Sequence, residues 1–509
     1  MIKIKQLPPI CVALGCHRAP ELERIAVHAI AAGERFFEFR LDLLDKPQSG
    51  IDVIRLIRKR SPRTTILATC RQSSNGGAFE GGTLKQVELL HKAVTAGAQL
   101  IDLEIESAEQ LPAALENLRP KAGLVLSYHN FLKTPPLDSV VRQLKKFPAD
   151  IYKIATTAQK PSDNLRILEL PSRHSDIRLT VIAMGETGIS TRVLGPARGS
   201  IFTFAFPETA PVSENLTTKP TAPGQMTTSL LRKRYRLTKL NADTKVLGVA
   251  AYPAGHSMSP ALHNRVFQSL GIDAVFLPFE VASNHLSDFF RFVETLPVTG
   301  LSVTIPHKRR VMRYLDYLDP LAAQIGAVNT IFRRKGKLCG TNTDAAGVTV
   351  PLSNLLTLKR ASVLVIGNGG AARAAAFALK QKGAQVTLSG RNFQRVRRLA
   401  KNCDVAALDR VDLTQRKFDA LVHATPIGMY PNTDDCFFAD KIPAEIVFDM
   451  VYNPLETLLL KRARSQGKMV IQGLEMFLEQ AAAQSEIWTG KTASRTVMRR
   501  AVLQAIRAK

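Results

Sequence analysis

The chain has 509 residues, too many for one ordinary hydrophobic core, so roughly two to four domains are expected. Hydrophobic content of 45% and charged content of 22% are those of a soluble globular protein, no run approaches the roughly 18 apolar residues of a membrane helix, and "MIKIKQLPPICVALG" lacks a signal-peptide pattern. A formal charge of +26 draws polyanions, but the basic residues are dispersed and the densest cluster, "RKRYR" (232–236), accompanies no nucleic-acid motif; a basic surface equally favours small anionic substrates.

Apolar, β-rich runs recur from the N-terminus: "ICVALG" (10–15), "FFEFRLD" (36–42), "TTILATCR" (64–71), "LIDLEIE" (100–106), "GLVLSYHN" (123–130), "DIYKIATTA" (150–158), "RLTVIAMG" (178–185) and "SIFTFAF" (200–206). Between them lie helical patterns, such as "TLKQVELLHKAV" with Leu84, Val87, Leu90 and Val94 on one stripe. Eight near-equal strand-plus-helix units point to a (β/α)8 TIM barrel, although an open doubly wound sheet would alternate in the same way. A polar stretch with prolines and the basic cluster follows, and the first domain is placed at 1–240. A new β/α series begins at "KVLGVAAY" (245–252), and a second boundary near 353 precedes "SVLVIGNGGAARAAAFALKQKGAQVTLSGR". The expected division is an α/β substrate domain over 241–352, completed by helices at 476–509, and a Rossmann-type domain over 353–475.

Barrel active sites lie at the C-terminal ends of the strands. Glu38, Arg40, Arg71, His129 and Lys153 all fall within or just after the β-runs. Alternation puts Lys153 on the same face as Ile151 and Ala155. If that face is inward, desolvation favours the neutral amine, which attacks a carbonyl to give a Schiff base; a strand lysine can instead snorkel to solvent. His129 supplies a group that moves protons near neutrality, Arg192 a planar fork for a carboxylate, and "TAPGQ" (221–225) a loop able to close on substrate.

In "FEFRLD", "TCR", "SYHN", "DIYKIATTA", "MGETGISTR" and "TAPGQ", roughly residues 8 to 237 closely resemble type I 3-dehydroquinate dehydratases. The resemblance implies an imine between Lys153 and the substrate ketone, with His129 removing the adjacent proton and later protonating the departing hydroxyl. Glu38, Arg40, Arg71, Arg192, Thr221 and Gln225 would bind substrate, with no metal or added cofactor. Three positions depart from the family pattern. Asn75 stands where a glutamate is usual near the histidine, Thr221 replaces a serine, and Ala13 stands at a common serine position. Losing a carboxylate removes a group that favours imidazolium; Glu80 is a candidate replacement.

In "GHSMSPALHNRVF" (255–267) a loop enters a helix, with Ser259 at the N-cap and Pro260 at N1. Ser257 and Ser259 beside that terminus form either a carboxylate site or an ordinary cap. Lys308 closes "SVTIPHK" and Asp344 lies in "TNTDAAG", a pair able to hold a hydroxyl and shuttle its proton. "GNGGAARA" follows an apolar run and opens a helix, so Gly367, Gly369 and Ala372 fit the dinucleotide turn in its required setting. The next strand ends in "LSGRNFQR", without the acid an NAD site offers the ribose but with Arg391 and Arg395, which suit the 2′-phosphate of NADP.

Residues 244 to 507 resemble shikimate dehydrogenases through "HSMSPALHN", "SVTIPHK", "GAVNT", "TNTDAAG", "GNGGAA", "GRNFQR", "ATPIGM", "FDMVYNPLETLLL" and "GLEMFLEQA". The resemblance implies that Ser257, Ser259, Thr304, Asn329, Asp344, Tyr452 and Gln480 contact shikimate, with Lys308 and Asp344 catalytic. Gly367, Asn368, Gly369, Gly370, Ala371, Arg391, Arg395, Met450 and Gly473 would surround NADP, with Thr425 in a nearby loop. Gly390 and Asn392 flank the first arginine where asparagine and threonine are frequent.

The combined expectation is a fused shikimate-pathway enzyme that dehydrates 3-dehydroquinate and reduces the product with NADPH. The alternatives are an NAD-preferring quinate/shikimate dehydrogenase half, or a basic binding protein on degenerate folds. Six scattered cysteines without a CxxC pair argue against zinc and disulfides and for reduced thiols in the cytoplasm. Small-molecule substrates are the expected partners, with no nucleic acid, membrane or obligatory protein partner.

Overall fold

Each of the eight apolar runs forms a parallel strand: β1 Ile10–Leu14, β2 Phe36–Arg40, β3 Thr65–Thr69, β4 Leu100–Glu104, β5 Gly123–Asn130, β6 Ile151–Thr157, β7 Leu179–Met184 and β8 Thr203–Phe206. The computed structural model describes residues 6–113, 121–208 and 219–507, so 209–218 of the polar stretch lie outside the described residues. Hydrogen bonds order the strands β7-β6-β5-β4-β3-β2-β1-β8, with a two-residue β9 (Met226–Thr227) added beside β8. The sheet curls until its ends meet: Ile201 N–H donates to Leu179 C=O at 2.9 Å, and Val181 N–H to Ser200 Oγ at 3.1 Å. This is the barrel expected from eight repeats.

Strand alternation sorts the side chains. Ile151 and Ala155 join Cys11, Ala13, Phe36, Leu67 and Phe202 in the barrel interior, while Tyr152 and Ile154 face the helical layer. Lys153 is therefore inside, 4% exposed. The helix Gly82–Thr95 differs from its expected stripe: Leu84 is 63% exposed, whereas Gln86 is fully buried. Gln86 faces inward because it has partners there, donating to Cys70 C=O and Glu104 and accepting from Ser107 Oγ. A satisfied amide is worth burying where an unsatisfied one is not. The basic cluster is also partly structural, since Arg232 forms a two-point ion pair with Glu34 and Tyr235 is buried.

The second half contains two sheets. In the first, β10 (Lys245–Ala251), β11 (Ala274–Glu280), β12 (Gly300–Val303), β13 (Tyr317–Leu318), β14 (Thr330–Arg334) and β15 (Lys337–Thr341) are ordered β11-β10-β12-β14-β15-β13, with antiparallel pairing from β12 through β15. In the second, β16 (Ser362–Ile366), β17 (Gln385–Ser389), β18 (Ala406–Ala407), β19 (Phe418–His423), β20 (Ala444–Asp449) and β21 (Met469–Ile471) run β18-β17-β16-β19-β20-β21. Counted from β16, that is the 3-2-1-4-5-6 order of a dinucleotide fold, whose ligand crevice opens between the first and fourth strands. By internal contacts the chain divides into two compact units, Met1–Thr244 with Leu277–Pro297, and Lys245–Phe276 with Val298–Lys509. Among the described residues no helix is long and apolar enough to cross a membrane.

Candidate functional site

The buried lysine of β6 is not alone. Lys153 Nζ donates to Asp102 Oδ2 at 2.7 Å, lies 3.8 Å from Glu38 Oε1, and sits 4.4 Å from the centroid of Phe204. Asp102, from β4, also accepts from Ser127 Oγ at 2.6 Å and has Arg71 at 3.7 Å. Burial raises the Asp102 pKa, but Lys153, Arg71 and these hydrogen bonds outweigh it and hold the carboxyl below its ordinary range. Burial of the amine is answered by an ion pair, with Asp102 the partner that sequence reasoning missed. An acid inside the apolar run "LIDLEIE" was the same anomaly as the lysine inside "DIYKIATTA".

Around this pair are groups without partners. Both ring nitrogens of His129 are buried and neither is hydrogen-bonded, and the ring stacks on Phe131. Burial, then Arg71, Lys153 and Arg40, push its pKa well below 6.5. Arg71 Nε and Nη2 also lack hydrogen bonds. Arg192 is 1% exposed, gives Nη2 to Pro223 C=O at 2.8 Å and leaves Nε unpaired. Burial lowers its pKa to about 10. A buried guanidinium of this kind calls for an anion. Arg40, by contrast, is already filled by two hydrogen bonds to Asp42. Glu38 accepts from Thr69, and Gln225 Oε1 accepts from the backbone and hydroxyl of Thr221. The 221–225 loop lies on the turn after β7: Gly224 has φ +70°, and a Cβ there would come 2.5 Å from Gly185 C=O. Asn75 turns to Glu106 at 3.2 Å, and Glu80 is exposed without an ion pair among the described residues.

In the second unit Lys308 Nζ donates to Asp344 Oδ2, while Asn329 Nδ2 donates to Asp344 Oδ1 at 2.7 Å and approaches Gln480 Oε1 at 3.5 Å. These four expected residues form one connected group. Thr304 lies at the end of β12, its backbone N–H on Ala250 C=O. Tyr452 stacks on Phe477 with centroids 4.6 Å apart. Ser259 is not the N-cap: Met258 holds that position, and Ser257 Oγ accepts the Ser259 N–H at 3.2 Å. The helix starts one residue earlier than expected because Ser257 supplies the acceptor.

Gly367 has φ +131°, and a Cβ there would lie 2.8 Å from Ala424 C=O. A Cβ at Gly369 would meet nothing within 4 Å, whereas one at Gly370 would press on the Lys308 stem at 3.1 Å. The helix Gly370–Gln381 therefore presents an uncapped N-terminus beside open space. Gly473 closes against Val451 C=O, where a Cβ would lie 2.4 Å away. At the end of β17, Arg391 and Arg395 are exposed and unpaired among the described residues, and Asn392 is explained as the N-cap of the helix that carries Arg395. An open glycine turn, a bare helix terminus and two free guanidiniums without an acid fit a dinucleotide with an extra phosphate.

Family models match consecutive parts of the chain: type I 3-dehydroquinase at residues 10–242, the shikimate dehydrogenase substrate binding domain at 249–331, shikimate / quinate 5-dehydrogenase at 351–428, and the shikimate 5'-dehydrogenase C-terminal domain at 473–503. The chloroplastic bifunctional 3-dehydroquinate dehydratase/shikimate dehydrogenase of Arabidopsis thaliana is 35% identical over 484 residues, covering 90% of this chain and 78% of that one. The chain belongs to the bifunctional 3-dehydroquinate dehydratase/shikimate dehydrogenase family. Its dehydrogenase part is also similar to the NADP(+) shikimate dehydrogenase of Oleidesulfovibrio alaskensis, 42% identical over 48% of this chain and 90% of that one. A crystal structure of a shikimate dehydrogenase in complex with NADP+ matches with 37% identity and a TM-score of 0.50, covering 52% of this chain and 97% of that chain. The buried pair His423–Asp449 beside the glycine turn was not foreseen, because nothing in "LVHATP" marks the histidine as paired.

Proposed function

We propose that residues 1–240 dehydrate 3-dehydroquinate to 3-dehydroshikimate, and that 241–352 with 476–509, together with the nucleotide half 353–475, reduce that product to shikimate with NADPH. The observation that carries the first step is a set of buried, incompletely paired groups in the barrel: His129 and Arg71 beside Lys153, and Arg192 after β7. In its neutral form Lys153 attacks the ketone, losing water to form an imine. His129, neutral when free, removes the adjacent proton; the electrons flow into the imine, the hydroxyl leaves with the proton His129 returns, and water releases the product. Arg192 and Arg71 hold the carboxylate, Glu38 and Gln225 the hydroxyls, and Thr221 keeps the closing loop folded on Gln225.

In the second step NADPH supplies hydride to the ketone carbon. Lys308 and Asp344 deliver the proton to the ketone oxygen, and Asn329 and Gln480 fix Asp344 and the ring hydroxyls. Ser257, Ser259, Thr304 and Tyr452 complete the substrate pocket. Gly367, Asn368, Gly369, Gly370 and Ala371 would cradle the pyrophosphate, Arg391 and Arg395 would hold the 2′-phosphate, and Thr425, Met450 and Gly473 would lie near the cofactor. The partners are these small molecules, and the six free cysteines support a reducing compartment, the cytoplasm.

A coupled assay tests both halves: 3-dehydroquinate plus NADPH is expected to consume NADPH without any added enzyme. Consumption from 3-dehydroshikimate alone would remove the dehydratase reading, and 3-dehydroshikimate accumulating beside unspent NADPH would remove the other. Replacing Arg391 and Arg395 by alanine is expected to lower the NADPH/NADH ratio of kcat/KM by about tenfold or more, since a charged hydrogen bond contributes about 1.5–3 kcal/mol; an unchanged ratio contradicts their role. Proton removal requires neutral His129, so kcat/KM for dehydration is expected to stay level as the pH falls through 6.5 and to drop only below it. Rates across about pH 5 to 8 check this, and an acid limb at or above the ordinary histidine value would contradict it.

A further inference from the structure

His423 ends β19, opposite Ile366 of β16 and Asp449 of β20, at the point where the strand order reverses and the glycine turn begins. It is 1% exposed and Asp449 is fully buried. Asp449 receives three donors: His423 Nδ1 at 2.9 Å, Val451 N–H at 3.1 Å and Thr457 Oγ at 2.6 Å. Thr457 in turn accepts from Leu460 N–H, which fixes its hydroxyl as the donor to Asp449. A carboxylate that only accepts places the histidine proton on Nδ1. The Thr425 hydroxyl lies 2.6 Å from the other ring nitrogen, Nε2. Ile427 N–H donates to that same hydroxyl oxygen at 3.3 Å. Hydrogen bonds thus join Ile427, Thr425, His423 and Asp449 in one connected chain. The backbone of His423 adds a further tie, its C=O accepting Met450 N–H at 3.0 Å.

We propose that His423, oriented by Asp449, is a positioning residue for the nucleotide: it draws the Thr425 hydroxyl inward and thereby sets the 425–427 turn and Met450 against the glycine loop. Thr425 then acts by shaping its loop rather than by offering its proton to the ligand. The packing leaves little freedom, since Ala424 donates to Ile366 C=O at 2.9 Å and its own carbonyl is what a Cβ at Gly367 would strike. This inference rests on the reading of the second half as an NADP-dependent dehydrogenase.

The test uses the full chain with His423→Asn, His423→Leu, Thr425→Val and the His423→Leu/Thr425→Val double variant. NADPH binding is titrated by its fluorescence, and amide hydrogen exchange at Ile427 and Met450 is followed without nucleotide. His423→Leu and Thr425→Val are each expected to weaken NADPH binding about tenfold, the double variant being no worse than either, as for groups in one network. Shikimate KM should hold, His423→Asn should recover much of the loss, and exchange at Ile427 should quicken in the leucine and valine variants. Unchanged exchange, or additive losses, would overturn the proposal. If His423→Leu fails to fold, Thr425→Val decides alone, because it leaves the buried pair intact. Quickened exchange in the variants, found together with a parent protein that binds no NADPH, would uphold the role of His423 in setting the turn and overturn only the cofactor reading.

Discussion

Replacing Lys153 by methionine is expected to abolish dehydration, by about 10⁴-fold or more as for loss of other covalent nucleophiles, while shikimate oxidation by the same molecule continues at the parent rate. Methionine keeps the length of the stem inside the barrel and removes only the amine. Borohydride added with 3-dehydroquinate should fix substrate mass on the Lys153 peptide of the parent and on no peptide of the variant. The same change leaves Glu38 without this cation and Asp102 with only the more distant Arg71, and breaking a buried pair costs about 3–5 kcal/mol. A lower melting temperature for the barrel is therefore part of the expectation, with partial recovery when Asp102→Asn is added. Dehydration that survives in the methionine variant, or substrate trapped on another residue, would overturn the covalent route.

The second large effect belongs to the other site. Lys308→Met is expected to lower kcat for 3-dehydroshikimate reduction by about 10²–10⁴-fold, the usual scale for a positioned acid or base, with dehydration untouched. Asp344→Asn should fall by a similar factor and also lose stability. Asn329 Nδ2 donates to one Asp344 oxygen and Lys308 to the other, so an amide places an NH2 group against a donor. A donor left facing a donor costs about 1–3 kcal/mol. The double variant should be no slower than the worse single one, since the two groups move one proton. Steady-state rates and melting curves check both parts; a Lys308→Met protein that reduces the ketone at the parent rate would remove the pair from the mechanism.

The barrel was readable because each of its eight strands is an apolar run long enough to announce itself, and because alternation says which way Lys153 must point. Strand β9 was not, since two residues carry no period. What escaped at the site were relations across strands. Lys153 and Asp102 are 51 positions apart in sequence and meet only through the β4–β5–β6 register. His423 and Asp449 meet only because β19 and β20 end level. The glycine turn and the two arginines were legible because their chemistry is local, and Asn392 proved to be a cap that any helix start of that kind accepts. Leu84 and Gln86 show the limit of periodicity: a polar side chain with three inward partners displaces a leucine from the buried face.

The Lys308 stem resting on Gly370, 3.1 Å from where a Cβ would stand, has a consequence for coenzyme engineering. The glycine turn proposed to receive the pyrophosphate also serves as the wall against which Lys308 leans. A side chain introduced at Gly370 would press on Lys308, whereas one at Gly369 would meet nothing within 4 Å, so redesign of nucleotide preference belongs away from Gly370, at the exposed Arg391 and Arg395.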